Sequence, residues 1–193
     1  AVIVRADITV KSDIEAMRET VTAALGAPDI IVNNAVIQYG WTSVLEQAEA
    51  DYESQFRSCV MQNVLMAQAF VPAMRERGWG RVIGINTECL MQCSPGQSAY
   101  ISGKAGMDRV LRVLAKEVGE SGVTVNQVAP GWTVSENCPA EGTPQAYLDK
   151  VALKRRGSDQ EIANVVAFLA SDLASFISGV YLPVCGGGVM PAV

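Results

Sequence analysis

Short β-branched runs that alternate with longer helical stretches constrain this chain more than any other feature. Val2–Ile8, Ile30–Asn33, Arg81–Ile85, Thr124–Val128 and Val180–Val184 read as strands. They are apolar along their length, as strands covered on both faces are. Helical patterns lie between them. One runs from Ser12, an N-cap with Glu15 three residues on to complete a capping box, towards Gly26. A long one covers Ala48–Arg77, where Cys59, Asn63, Ala67, Phe70 and Met74 recur every three or four residues and mark one face. A third covers Ser98–Gly119, and shorter ones cover Pro144–Ala152 and Asp159–Leu169. This order predicts an α/β fold, a doubly wound parallel sheet with helices on both faces. Gly131–Gly142, rich in Pro, Gly and small polar residues, reads as one long loop at a strand's C-terminal end, where open α/β sheets bind ligands.

Composition narrows the chemistry. The 193 residues suit one domain, and the net charge of −5 disfavours a nucleic-acid partner, which needs phosphate-neutralising Lys and Arg. Histidine is absent, so Ser-His-Asp and Cys-His catalysis and His-ligated zinc are excluded. Any proton must move through Tyr, Lys, Cys or a carboxylate. The five scattered cysteines form no CxxC pair and point to a reducing, cytoplasmic setting. Cys89 and Cys93 lack a second ligand pair, so no metal is expected. No apolar stretch approaches a membrane span and no signal peptide opens the chain, so no membrane partner is expected.

The chemistry centres on Tyr100 and Lys104, four residues apart and so on one helix face. A free phenol is only about a thousandth ionised at neutral pH. A neighbouring ammonium favours the phenolate and makes the phenol a usable proton donor and acceptor.

Around this pair the chain resembles the short-chain dehydrogenase/reductase family over nearly its whole length, in particular 3-oxoacyl-ACP-reductase-like members. Ala6-Asp7-Ile8-Thr9 resembles the turn after the family's third strand, and Asp29-Ile-Ile-Val-Asn33-Asn34-Ala35 the strand ending in Asn-Asn-Ala-Gly. Gly80-Arg-Val-Ile-Gly-Ile-Asn-Thr87 is similar to the strand that leads to the catalytic serine, thirteen residues before Tyr100. Val125-Asn-Gln-Val-Ala-Pro130-Gly131 resembles the segment beneath the nicotinamide, and Gln160 to Gly187 the family's C-terminal signature. The resemblance implies a Rossmann-like fold and hydride transfer between NAD or NADP and a ketone or secondary alcohol. It makes Tyr100 the proton donor and acceptor, with Lys104 tuning its pKa and bonding the nicotinamide ribose, and Thr87 in the serine's place. Asp7, Ile8, Asn34 and Ala35 would line the adenosine side. Pro130, Gly131, Thr133 and Ser135 would support the nicotinamide. Glu88, Cys89, Cys93 and Trp132, with Met91 and Gln92, would meet a small-molecule substrate. Lys154-Arg155-Arg156 reads as a solvated or subunit-contacting turn. A homodimer or homotetramer built on the two long helices is expected.

Four departures stand out. Thr87 keeps a hydroxyl but adds a methyl. Cys59 occupies the family's catalytic-asparagine position, and Asn63, one turn on, either substitutes through water or is satisfied at a helix kink. Val36 replaces a glycine, which a left-handed turn would not tolerate. The glycine-rich TGxxxGxG fingerprint does not occur, so residues 1–193 read as a single, N-terminally truncated Rossmann-like domain, short of a first strand–helix–strand–helix segment of roughly 60 residues. Val2–Ile8 is then expected to pair beside Ile30–Asn33, to swap, or to be poorly ordered. The alternative to an enzyme is a catalytically inactive, truncated family member serving as an oligomerising or binding module.

Overall fold

In the computed structural model, residues 1–136 and 138–190 are described. Four strands form one parallel sheet in the order β1 (Ile30–Asn33), β2 (Gly80–Ile85), β3 (Val123–Pro130), β6 (Tyr181–Val184). Side chains alternate across each strand, so neighbouring residues feed opposite layers. Val82, Val123 and Val125 face a core built with Ile14 of α1 (Lys11–Leu25), Phe70 and Met74 of α3 (Gln62–Arg77), and Met107 and Leu111 of α5 (Ser98–Val118). Ile83 and Val128 face a second core with Ile162, Val165 and Leu169 of α7 (Asp159–Ala170). Helices on both faces of a parallel sheet make this the doubly wound α/β architecture expected of the sequence.

Val2–Ile8, read as a strand, does not take the first of its expected outcomes, pairing beside Ile30–Asn33. It forms no strand and pairs with nothing in the sheet. A lone extended run has no ladder partner, and Ile3 is 99% exposed. The outer edge of β1 is correspondingly open, with Ile30 and Val32 at 41% and 43% exposure. The first helix begins at Lys11 with Val10 as its N-cap, so the Ser12 capping box is also corrected. Asp7 instead orders the turn before the helix: its N–H donates to the Asp13 carboxylate, and its Oδ1 accepts from Thr9 N–H.

The helix expected over Ala48–Arg77 is continuous in path but changes winding. α2 (Glu49–Gln55) passes into a π-helical turn, Phe56–Met61, and then into α3. Asn63 explains the change. Its Nδ2 donates to the Cys59 carbonyl at 2.7 Å and its Oδ1 accepts from Asn33 Nδ2 at 2.8 Å. The side chain therefore satisfies a freed carbonyl inside the helix and ties it to β1. Asn63 is the polar residue satisfied at a kink.

α5 meets the end of α2 through a bare backbone. A Cβ on Gly103 would stand 2.9 Å from the Gln55 carbonyl oxygen. Gly103→Ala must push α5 away from α2, and should cost about 1–3 kcal/mol in urea unfolding. A second prediction concerns α7, which Ser158 and Glu161 open with a reciprocal capping box. Arg155 pairs with the Glu161 carboxylate at 2.6 Å, and that bond, with Ser158 N–H, lowers its pKa to about 2 from 4.5. A depressed pKa gives stability that is full above the unfolded value and is lost as pH falls towards about 2. Gln keeps the box without the charge. The melting-temperature gap between wild type and Glu161→Gln should hold steady above pH 4.5 and close on acidification.

Candidate active site

The C-terminal edge of β2 is built around Asn86. Its buried side chain accepts from Thr87 N–H at 2.9 Å, donates to Gln127 Oε1 on β3 at 2.7 Å, and donates to the Lys104 carbonyl on α5 at 3.2 Å. Gln127 in turn donates to Asp108 Oδ1 at 3.0 Å, and Arg112 holds that carboxylate from the other side at 2.8 Å. The Thr87 carbonyl accepts from the Tyr181 hydroxyl. Both peptide groups of Thr87 are therefore fixed by side chains, and its hydroxyl accepts from Cys89 N–H at 3.2 Å.

Tyr100 and Lys104 stand on the first turns of α5 facing this edge. Lys104 is buried, and its Nζ donates to the Ile85 carbonyl at 2.6 Å, 5.9 Å from the centre of the Tyr100 ring. Burial lowers the Lys104 pKa, opposed by Cys59. Burial also raises the Tyr100 phenol above its usual value, opposed by the Thr87 and Gln38 side chains. Without a ligand, then, the phenol is held neutral and its proton is available. Cys59 lies within electrostatic reach of Lys104, its thiol pushed up by burial, and donates to Gln55 Oε1 at 3.4 Å. Asn63 is committed instead to Asn33 of β1 and to the Cys59 carbonyl of its own helix.

These groups line one cavity of about 760 Å³. Asn34, Thr87, Glu88, Cys89, Tyr100, Lys104, Pro130, Gly131, Trp132, Thr133 and Ser135 all border it. Other expected site residues do not. Asp7 is exposed and caps its own turn, Ile8 and Ala35 lie outside the wall, and Cys93, at φ +49°, bonds back to the Leu90 carbonyl. Val36 borders the cavity with ordinary backbone geometry, so the turn needs no glycine.

The loop over the cavity is more ordered than its composition suggested. β4 (Thr133–Val134) pairs in parallel with β5 (Gly157–Ser158), and Ser135 bridges to Cys138; residue 137 within the expected loop lies outside the described residues. Arg156 organises it. Far from being solvated, its buried guanidinium donates to the carbonyls of Pro139 at 2.6 Å, Cys138 at 3.1 Å and Thr133, and stacks 4.4 Å from the Trp132 ring centre. Sequence reasoning also missed Asn86, Gln127 and Tyr147. Polar residues at the end of an apolar strand were the available signal for the first two.

The nicotinamide half of a dinucleotide fits the donor set present: Asn34, Thr133 and Ser135 offer hydroxyl and amide groups on the wall that carries Tyr100 and Lys104. Comparison with known proteins decides the family. Residues 1–188 match the family model described as enoyl-(acyl carrier protein) reductase. The chain is 35% identical over 184 residues to nodulation protein G of Azospirillum brasilense, covering 94% of this chain and 74% of that protein. It is 33% identical over 187 residues to 3-oxoacyl-[acyl-carrier-protein] reductase FabG of Pseudomonas aeruginosa (95% and 75%), and 31% over 188 to 7alpha-hydroxysteroid dehydrogenase of Escherichia coli K12 (96% and 73%). This chain belongs to the short-chain dehydrogenase/reductase family. It is thus an NAD(P)-dependent oxidoreductase by family, and among the described residues no helix is long and apolar enough to cross a membrane. The Arg156 anchor of this dehydrogenase gives a further prediction. Arg156→Met would strand several loop carbonyls, so limited proteolysis should cut within 131–142 at least about tenfold faster, given roughly 1.5–3 kcal/mol per charge-assisted bond.

Proposed function

We propose that the chain interconverts a ketone and a secondary alcohol, with Tyr100 giving its proton to the carbonyl oxygen or taking it back. The observation that carries this reading is the convergence of the Tyr100 phenol, the Thr87 hydroxyl and the buried Lys104 on one cavity wall. Asn34, Pro130, Gly131, Thr133 and Ser135 would hold the nicotinamide end of NAD or NADP there, with Lys104 leaving Ile85 to bond its ribose. The bound nicotinamide supplies or accepts the hydride. Thr87, immobilised by Asn86 and Tyr181, would polarise the carbonyl oxygen. Burial keeps the Tyr100 proton in place at neutral pH, which suits the reductive direction.

The five free cysteines support a reducing, cytoplasmic location. Phe56 and Val113, exposed on the two long helices, support a second copy packing there as a homodimer or homotetramer.

Tyr100→Phe should lower turnover by about 10²–10⁴ and leave nicotinamide binding nearly unchanged. Binding is read by titrating NADH and NADPH against melting temperature, since a ligand at a hundred times Kd adds about 2.7 kcal/mol. Turnover retained in Tyr100→Phe refutes the proton role. A flat titration with both cofactors favours a binding module.

A further inference from the structure

Residues 34–43, which carry the chain from β1 towards α2, form no strand or helix, yet Asn34, Val36, Gln38 and Trp41 border the cavity. With no ladder of its own, this loop is held by side chains of α2 and of the helix beyond it. The Tyr39 hydroxyl donates to Ser54 Oγ, and Gln62, with its amide oriented to satisfy both its groups, donates to the Ala35 carbonyl at 3.2 Å. Between these two ties stands Gln55, whose side chain is fully buried. Its Nε2 donates to the Ile37 carbonyl, and its Oε1 accepts from the Cys59 thiol at 3.4 Å. A carbonyl that only accepts on one side and a thiol that donates on the other leave the amide one orientation. The backbone of the same residue seats α5, since Gly103, three residues after Tyr100, packs directly on the Gln55 carbonyl.

We infer that Gln55 is a positioning residue for the reacting phenol: by holding the Ile37 carbonyl it fixes the next residue, Gln38, whose side chain reaches Tyr100 on the cavity wall. The inference rests on the dehydrogenase reading and adds to it the residue that sets the phenol's partner. Gln55 does so through two contacts. Its side chain sets the loop that presents Gln38, and its backbone sets the spacing to the helix that presents Tyr100. Burial opposes ionisation of the phenol, and the Thr87 and Gln38 side chains, within hydrogen-bonding reach, favour it. The titratable groups that face the ring are Lys104 of its own helix, Cys59 of the π turn, Cys89 after β2 and Tyr181 of β6. The loop reaches it through the neutral Gln38. Gln38 is exposed, and a long exposed side chain on irregular backbone samples many rotamers. The anchor at Ile37, one residue away, removes the backbone part of that freedom.

The test compares Gln38→Met, Gln55→Met and the double variant, which keep side-chain volume close to that of the wild type. NMR of tyrosine labelled at the ring carbon that bears the hydroxyl reads the phenol directly, the Tyr100 signal being the one missing from Tyr100→Phe. Gln38→Met should shift that signal at neutral pH, Gln55→Met should shift it the same way, and the double variant should go no further than Gln38→Met alone. In oxidation of cyclohexanol and 2-butanol with NAD⁺ and NADP⁺, where the phenolate is the base, kcat at neutral pH should fall about 3- to 10-fold in each variant. It should recover as pH rises, because losing a hydrogen bond to the phenolate moves its ionisation to higher pH. A merely structural part for Gln55 would lower kcat alike at every pH. If Gln55→Met does not fold, Gln55→Asn, an amide one methylene too short to reach the Ile37 carbonyl, should give the same shift. An unmoved Tyr100 signal in the folded Gln55 variant, shifts that add in the double variant, or a loss of kcat that no pH recovers overturns the inference. Turnover of neither alcohol by the wild type is the failure of the dehydrogenase reading, and the NMR comparison then decides the positioning by itself.

Discussion

The side chain of Asn86 is the junction on which the site depends. One amide spans three elements: it caps the end of β2, grips β3 through Gln127 and holds the Lys104 carbonyl in α5. Its remaining oxygen takes the Thr87 amide. Because all of these groups are buried, losing any one partner would strand another, so the arrangement admits a single geometry. The Tyr181 hydroxyl closes it from the far side, on β6. Thr87 is thus positioned by residues at the end of β2 and on β3 and β6, and the Asp108–Arg112 pair ties the same network to the surface of α5.

Around that rigid junction the cavity carries polar groups that the protein alone does not fully satisfy. Lys104 is desolvated and bonds one carbonyl; Glu88 and Gln97 each keep an idle oxygen. Buried polar groups of this kind are costly unless something completes them. At the π turn, Phe56–Met61, Asn63 bonds the Cys59 carbonyl from within the helix, and Cys59 lies within electrostatic reach of Lys104.

How much of this was legible depended on whether the determining contacts were local. Strands of four or more apolar residues and the α5 pair Tyr100 and Lys104 could be read directly, because periodicity and spacing record which side chains share a face, whereas Thr87 was picked out by the family resemblance of residues 80–87. Arg156 could not. Within Lys154-Arg155-Arg156 nothing distinguishes the residue that faces solvent from the one that gathers the carbonyls of Thr133, Cys138 and Pro139; the parallel pairing of β4 with β5 decides it. Val2–Ile8 was misread for a related reason. A β-branched run has the propensity for a strand, yet a strand exists only where another edge supplies the ladder.

The sequence by itself therefore determined the layered α/β architecture and the placing of Tyr100 and Lys104 on one helix face, since both follow from side-chain periods along single elements. Tertiary structure alone decided the rest: which of the candidate residues share the cavity, that Asn63 turns to the sheet, and that Glu88 and Gln97 each keep one buried oxygen without a partner. Those outcomes depend on how separate elements pack and on which buried polar atoms thereby gain or lose a partner, and no spacing along one chain records that.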